Sequence, residues 1–196
     1  QEAIAIHGRS ILAVDTNSGI KQYIGPDTQV HDLKEKMVLP GFIDTHIHLG
    51  AAAQIMAGVD LLSCTSLSEI QSTISDYAEK NKDVPVIRGF GWNYFLFNES
   101  GPHKEMLDEV ISNKPVILTS FDGHATWVNS RALEIAKITD STPDPTGGKI
   151  ERDAEGNPTG VLREMAASNL VTSKVPPLTI AQIKEIAALL RAELGI

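Results

Sequence analysis

The stretch Val38-Leu-Pro-Gly-Phe-Ile-Asp-Thr-His-Ile-His-Leu-Gly50 constrains the fold most. It begins apolar, passes a Pro-Gly pair and ends in two histidines one residue apart. As a strand its side chains alternate between two faces. Phe42, Asp44, His46 and His48 then share one face, and Ile43, Thr45, Ile47 and Leu49 share the other. The two imidazoles stand roughly 6.5–7 Å apart along the strand. Both can converge on one metal ion just past its end, since neutral imidazole is a common zinc ligand. Asp44 lies on the same face and can fix one imidazole by accepting its second N–H. His-X-His alone is a weak motif; its place at the end of an apolar strand, with an acid on the same face, gives it weight.

The rest of the chain reads as alternating elements. Residues 2–6 and 10–14 are short strands around a His7-Gly-Arg turn, and 29–33 and 36–39 supply further extended pieces. His7 and His31 have no metal-like spacing. Residues 67–80 form a helix with Ser66 and Glu69 as a capping box. Residues 84–90 form a strand that runs into Gly91, Trp92 and Asn93. Residues 102–112 form a helix, with Pro102 suited to its first turn. Residues 115–121 form a strand ending in Asp122-Gly-His124, and 130–137 a short helix. This alternation predicts parallel βα units. Residues 139–160 are rich in turn residues and contain a hairpin, read either as a positioning loop or as a surface excursion. Val161-Leu-Arg-Glu164 follows as a strand end, and 178–194 as an amphipathic helix with a core-facing apolar stripe.

Leu39-Pro-Gly-Phe-Ile-Asp-Thr-His-Ile-His48 resembles the first barrel strand of the amidohydrolase superfamily. Gly89-Phe-Gly-Trp92, Asp122-Gly-His124, Trp127-Val-Asn-Ser130 and Pro158-Thr-Gly-Val-Leu-Arg-Glu164 narrow the resemblance to amidohydrolase family 3, the YtcJ-like branch that includes N-substituted formamide deformylases. The resemblance implies an α/β fold: part of a (β/α)8 TIM-like barrel of the metal-dependent hydrolase type over 39–196, with part of a small flanking β-sandwich over 1–38. In such barrels, active residues sit at the C-terminal ends of the strands. His46, His48 and Glu164 are then the expected metal ligands, for one or two divalent ions, zinc first and iron, manganese, nickel or cobalt after it. Lys149 and Lys174 are weaker candidates for a carbamylated ligand, because neither ends a strand. His124 is expected to orient the substrate carbonyl or stabilise its oxyanion, with a purely structural histidine as the alternative. Asp122 is a catalytic candidate or a turn acid. Trp92 and Asn93 line the substrate pocket, or Trp92 packs. The implied reaction is hydrolysis of a small, non-peptide amide by metal-activated water. A catalytically inactive family member acting in regulation or assembly is the alternative, and a hydrolase of cyclic amides or a ring deaminase a third reading.

Composition limits the partners. The 196 residues carry a formal net charge of −8, which argues against nucleic acid. No apolar run reaches the roughly 18 residues of a membrane helix, and no signal core opens the chain, so a cytoplasmic location is expected. The single cysteine, Cys64, allows no internal disulfide and reads as a buried or neutral thiol, with a nucleophile as the alternative. A full barrel needs about 200–250 residues. The chain after His48 is too short for one, and the two later histidines and the aspartate of the family pattern are not found. It is therefore expected to be an amino-terminal portion, with free strand edges that favour pairing between copies.

Overall fold

The computed structural model describes residues 2–41, 43, 58–98 and 101–194. Asp44, His46 and His48 lie outside the described residues. The chain divides into two compact units, Gln1–His46 and Ile47–Ile196. In the first, β1 (Ala3–His7) and β2 (Ser10–Asp15) pair antiparallel around Gly8, whose φ of +59° suits a residue without a Cβ. The extended pieces expected at 29–33 and 36–39 are irregular and exposed. A strand needs a hydrogen-bonded neighbour, and these charged, Pro-flanked pieces pair with none among the described residues.

The second unit is a six-stranded sheet with helices on its faces. Its strands are β3 (Val59–Asp60), β4 (Ile87–Trp92), β5 (Val116–Ser120), β6 (Ala125–Val128), β7 (Lys149–Arg152) and β8 (Pro158–Arg163). They lie in the order β3-β4-β5-β6-β8-β7. β3, β4 and β5 are parallel, but β5–β6, β6–β8 and β7–β8 are antiparallel. The expectation of purely parallel βα units is thus corrected. The turn Phe121–His124 is too short for a crossover, so β6 folds straight back on β5. β8 then runs the same way as β3, β4 and β5, and the segment expected as an excursion returns as β7, an edge strand. Arg152 ties that segment down by donating to Asp144 Oδ1 (3.1 Å) and to the Thr142 carbonyl.

The helices are α1 (Leu67–Lys80), α2 (Lys104–Asp108), α3 (Ser130–Ala136), α4 (Glu164–Thr172) and α5 (Ile180–Leu194). At α1, Ser66 Oγ accepts the N–H of Glu69 (3.2 Å), and Glu69 Oε2 reaches back to Thr65 rather than to Ser66 (2.7 Å). Two apolar clusters sandwich the sheet. One joins Ile70, Ile74, Leu107, Val116, Leu118, Trp92 and Trp127; the other joins Ile117, Val128, Leu133, Ile150, Leu162, Ala167 and Val171. Cys64 is half-buried, its Sγ 3.8 Å from Thr73 Oγ1. Among the described residues, no helix is long and apolar enough to cross a membrane.

Gly91 decides where Trp92 goes. Strict alternation puts Phe90 and Trp92 on one face. At φ +105°, Gly91 makes a bulge, so that Phe90 pairs with Thr119 and Trp92 with Ser120. Trp92 therefore turns to the Leu118 side and is fully buried, its indole N–H donating to the Leu118 carbonyl at 2.9 Å. Of the two expectations for it, pocket wall or packing, the structure places it in the core.

Asn129 binds the sheet to its helices. It is fully buried and makes four side-chain hydrogen bonds. Oδ1 accepts from Val116 N and Ala132 N, each at 3.0 Å, while Nδ2 donates to the carbonyls of Ile111 (2.8 Å) and Lys114 (2.9 Å). Asn129→Ala removes the partner of the Val116 N–H and of the Ile111 and Lys114 carbonyls, while the Ala132 N–H keeps the backbone carbonyl of residue 129 (3.1 Å); it should destabilise the fold by about 3 kcal/mol, measured as a fall in the urea midpoint.

Candidate functional site

Because β4, β5 and β8 run together, their C-terminal ends and the start of β6 meet at one sheet edge. Asn93 and Tyr94 follow β4, Asp122 and His124 lie between β5 and β6, and Glu164 follows β8. The β6–β8 ladder pairs Ala125 with Arg163, and one step further the N–H of Glu164 donates to the His124 carbonyl (2.8 Å). That register sets the His124 imidazole beside the Glu164 carboxylate, Nδ1 to Oε2 3.3 Å. A carboxylate only accepts, so the neutral imidazole carries its proton on Nδ1 and leaves Nε2 with a free lone pair. Both side chains are open to solvent, 67% and 55% exposed.

Glu164 is held at φ +64°, a left-handed conformation that costs a non-glycine residue about 1 kcal/mol or more. Its Oε1 has no hydrogen-bond donor among the described residues.

Asp122 organises the turn before β6. Its Oδ1 accepts the Ser120 hydroxyl (2.6 Å), the His124 backbone N–H (3.1 Å) and the Tyr94 hydroxyl (3.2 Å). Burial by itself would raise the Asp122 carboxyl; the hydrogen bonds from Ser120, His124 and Tyr94 overcome it and hold the group below the ordinary aspartate value. Burial also pushes the Tyr94 phenol up, aided by the Asp122 charge and opposed by the Ser120 contact, so it stays a proton donor. Asn93 caps the short 3₁₀ turn Tyr94–Leu96 by accepting the N–H of Phe95 (3.1 Å). Its side-chain oxygen is thus engaged in local structure.

The donors present, one imidazole and one carboxylate, are types that suit a divalent first-row ion. Among the described residues, no three His, Cys, Asp or Glu side chains gather as a metal site. Tyr94, Ser120 and Arg163 join this edge without having been singled out in the sequence. The Ser-X-Asp spacing at residues 120–122 was a readable turn signal. The link from Tyr94 to Asp122, 28 residues apart, had none.

Two outcomes follow for stability. Glu164→Gly relieves the left-handed strain and should stabilise the fold by about 1 kcal/mol in thermal unfolding, since the exposed pair it removes contributes little. Asp122 has a folded pKa below its unfolded one. Its contribution is therefore complete above the ordinary carboxylate range and is lost as pH falls through the lower folded value. Asp122→Asn should shallow the loss of stability below about pH 4, measured by urea unfolding across an acid pH series.

Residues 29–195 match the amidohydrolase family. The chain is 37% identical to the N-substituted formamide deformylase of Arthrobacter pascens over 88% of its own length and 32% of that protein's. It is 33% identical to the putative amidohydrolase YtcJ of Bacillus subtilis over 94% of its length and 35% of that protein's. The fold is similar to that of an uncharacterized metal-dependent hydrolase from Pyrococcus furiosus (TM-score 0.54, 23% identity), covering 97% of this chain and 37% of that one. The chain spans about a third of the length of the curated relatives it matches. On the match over residues 29–195, which holds the Asp122, His124 and Glu164 edge, the chain belongs to the amidohydrolase family.

Proposed function

We propose that this chain supplies part of the active site of a metal-dependent amidohydrolase that cleaves the C–N bond of a small non-peptide amide. One observation carries the reading: the strand register brings His124 and a strained Glu164 together, 3.3 Å apart, at the edge where β4, β5 and β8 end. Active sites of parallel βα folds form at this edge. Under this reading β3, β4, β5 and β8, which run one way, are barrel strands, and β6 and β7 are additions between and beside them.

His46, His48 and Glu164 would hold a divalent ion, with zinc as the first candidate. Such an ion supplies an activated water and polarises the amide carbonyl. Glu164 would be one of its ligands, with its Oε2 beside His124 Nδ1 as the structure has it. His124 presents Nε2 toward the substrate: neutral, it accepts a proton; protonated, it donates to the carbonyl oxygen as that oxygen gains charge. Asp122 keeps the turn that carries His124 and does not reach the substrate.

The rim suits an apolar substituent. An exposed apolar residue follows each of the four strands: Leu62 after β3, Phe95 after β4, Phe121 after β5 and Met165 after β8. This composition, with the Arthrobacter relative, favours an N-substituted formamide over a charged amide.

The test is metal content together with hydrolysis of neutral small amides, N-substituted formamides among them, by the protein in its full natural length. Near-stoichiometric metal is expected, lost in His46→Ala/His48→Ala. Glu164→Gln should lower kcat/KM by about a hundredfold. Full metal content in the double variant, or hydrolysis unaffected by Glu164→Gln, would overturn the assignment.

A further inference from the structure

Tyr94 reaches both sides of the His124–Glu164 pair. On one side its hydroxyl donates to Asp122 Oδ1 (3.2 Å), the same oxygen that takes the His124 backbone N–H (3.1 Å). On the other side its ring carries the Arg163 guanidinium, with Cζ 4.9 Å from the ring centroid. Arg163 immediately precedes Glu164, and Glu151 Oε1 anchors its Nε at 2.6 Å. Burial would lower the guanidinium, but the hydrogen bond and charge of Glu151 outweigh it, so Arg163 stays a firm cation over the ring.

The ring is itself held. Trp92 stands edge-on to it at 4.7 Å and Phe121 at 6.1 Å. Trp92 is fully buried in the core, so the support is stiff. Two short arms therefore run from one aromatic residue, through Asp122 to the backbone of His124 and to Arg163, the residue before Glu164.

The turn does not need this link to form. The Ser120 hydroxyl already satisfies Asp122 Oδ1 at 2.6 Å, Ser120 Oγ accepts from Ala125 N (3.0 Å), and Gly123 N donates to the Ser120 carbonyl (3.0 Å). The Tyr94 hydroxyl instead adds a bond between the ends of two strands. Only through the ring's contact with Arg163 does Tyr94 also reach the end of β8.

We propose that Tyr94 is a positioning residue, which sets the angle at which the His124 imidazole meets Glu164 by holding Asp122 with its hydroxyl and Arg163 with its ring face. The proposal rests on the reading above, in which His124 and Glu164 face substrate and metal. A shift of about 1 Å in a reacting group can cost a hundredfold in rate. A residue outside the reaction can thus govern it.

Tyr94→Phe removes the hydroxyl and keeps the ring. Ser120→Ala removes the shorter bond to the same Oδ1 and serves should the first variant fold poorly. Two readouts apply, both on the protein in its full natural length. The first is the ¹⁵N chemical shifts of the His124 ring at a single pH in metal-free protein. The wild type should show the Nδ1–H form, and both variants should move toward a mixture of the two tautomers. The second is kinetics on neutral small amides, where Tyr94→Phe should lower kcat about tenfold and change KM less than about twofold. His124 shifts unchanged in Tyr94→Phe would overturn the proposal, whatever Ser120→Ala shows and whatever happens to the melting temperature. Equal changes in kcat and KM would also overturn it, by placing Tyr94 against the substrate. A tautomer change in a protein that hydrolyses no amide would uphold the positioning role and reject the hydrolase reading.

Discussion

One buried amide holds the arrangement on which the site depends. Asn129 closes β6, caps α3, and receives or supplies hydrogen bonds at Ile111, Lys114, Val116 and Ala132. Those groups belong to the segment leaving α2, the start of β5 and the first turn of α3. A Val or Leu of similar volume could fill the space but would leave the Val116 N–H and the carbonyls of Ile111 and Lys114 without this partner. The amide thereby fixes where β5 starts and where β6 stops. The Phe121–His124 turn between them is left a single register. Position at the far edge is therefore set by a residue that lies at the opposite end of β6.

The reversed strand explains why two residues 40 apart in sequence meet. In a parallel crossover, the segment after β5 would leave the edge as a helix and return at the far side. β6 instead turns back at once, so the residue before it stays at the edge, and β8 pairs on its other side. Register does the rest, because Ala125 opposite Arg163 puts His124 opposite Glu164. The left-handed backbone at Glu164 lets the chain pass from strand into α4 with no linker, which keeps the carboxylate at the ladder's end. Strain there is the cost of changing direction within one residue.

Much of this was legible in the sequence, and the gaps have physical causes. The helix at 67–80 was readable to the residue, because a cap at Ser66 and an apolar stripe agree. The strand ends that carry Asp122, His124 and Glu164 were readable as chemical residues following apolar runs. For Trp92 the sequence left pocket wall and packing open, because a bulge at one glycine, which reverses every face after it, is not encoded in the alternation. β6 was missed because Ala-Thr-Trp-Val is buried on both faces and shows no alternation at all. Tyr94 was missed because its role comes from partners 28 and 69 residues away in sequence, which no local pattern encodes. His46 and His48 lie outside the described residues, so their part in the site rests on the motif.

The Asp122 cluster shows how a turn acid and a catalytic acid can be told apart. An acid that moves protons needs an oxygen that faces the reactant and a pKa within reach of working pH. Asp122 has Oδ1 saturated by three donors and a carboxyl held below its ordinary value. Those bonds favour its charged form and turn Oδ1 toward Ser120, Tyr94 and the His124 backbone. Those properties make a good brace and a poor proton carrier. His124 is the opposite: its backbone is fixed by that brace, its ring is exposed, and one nitrogen remains unclaimed once Glu164 has taken the other. Under the proposed reading, chemistry at this edge would fall to His124 and Glu164, with Asp122 keeping the histidine in place.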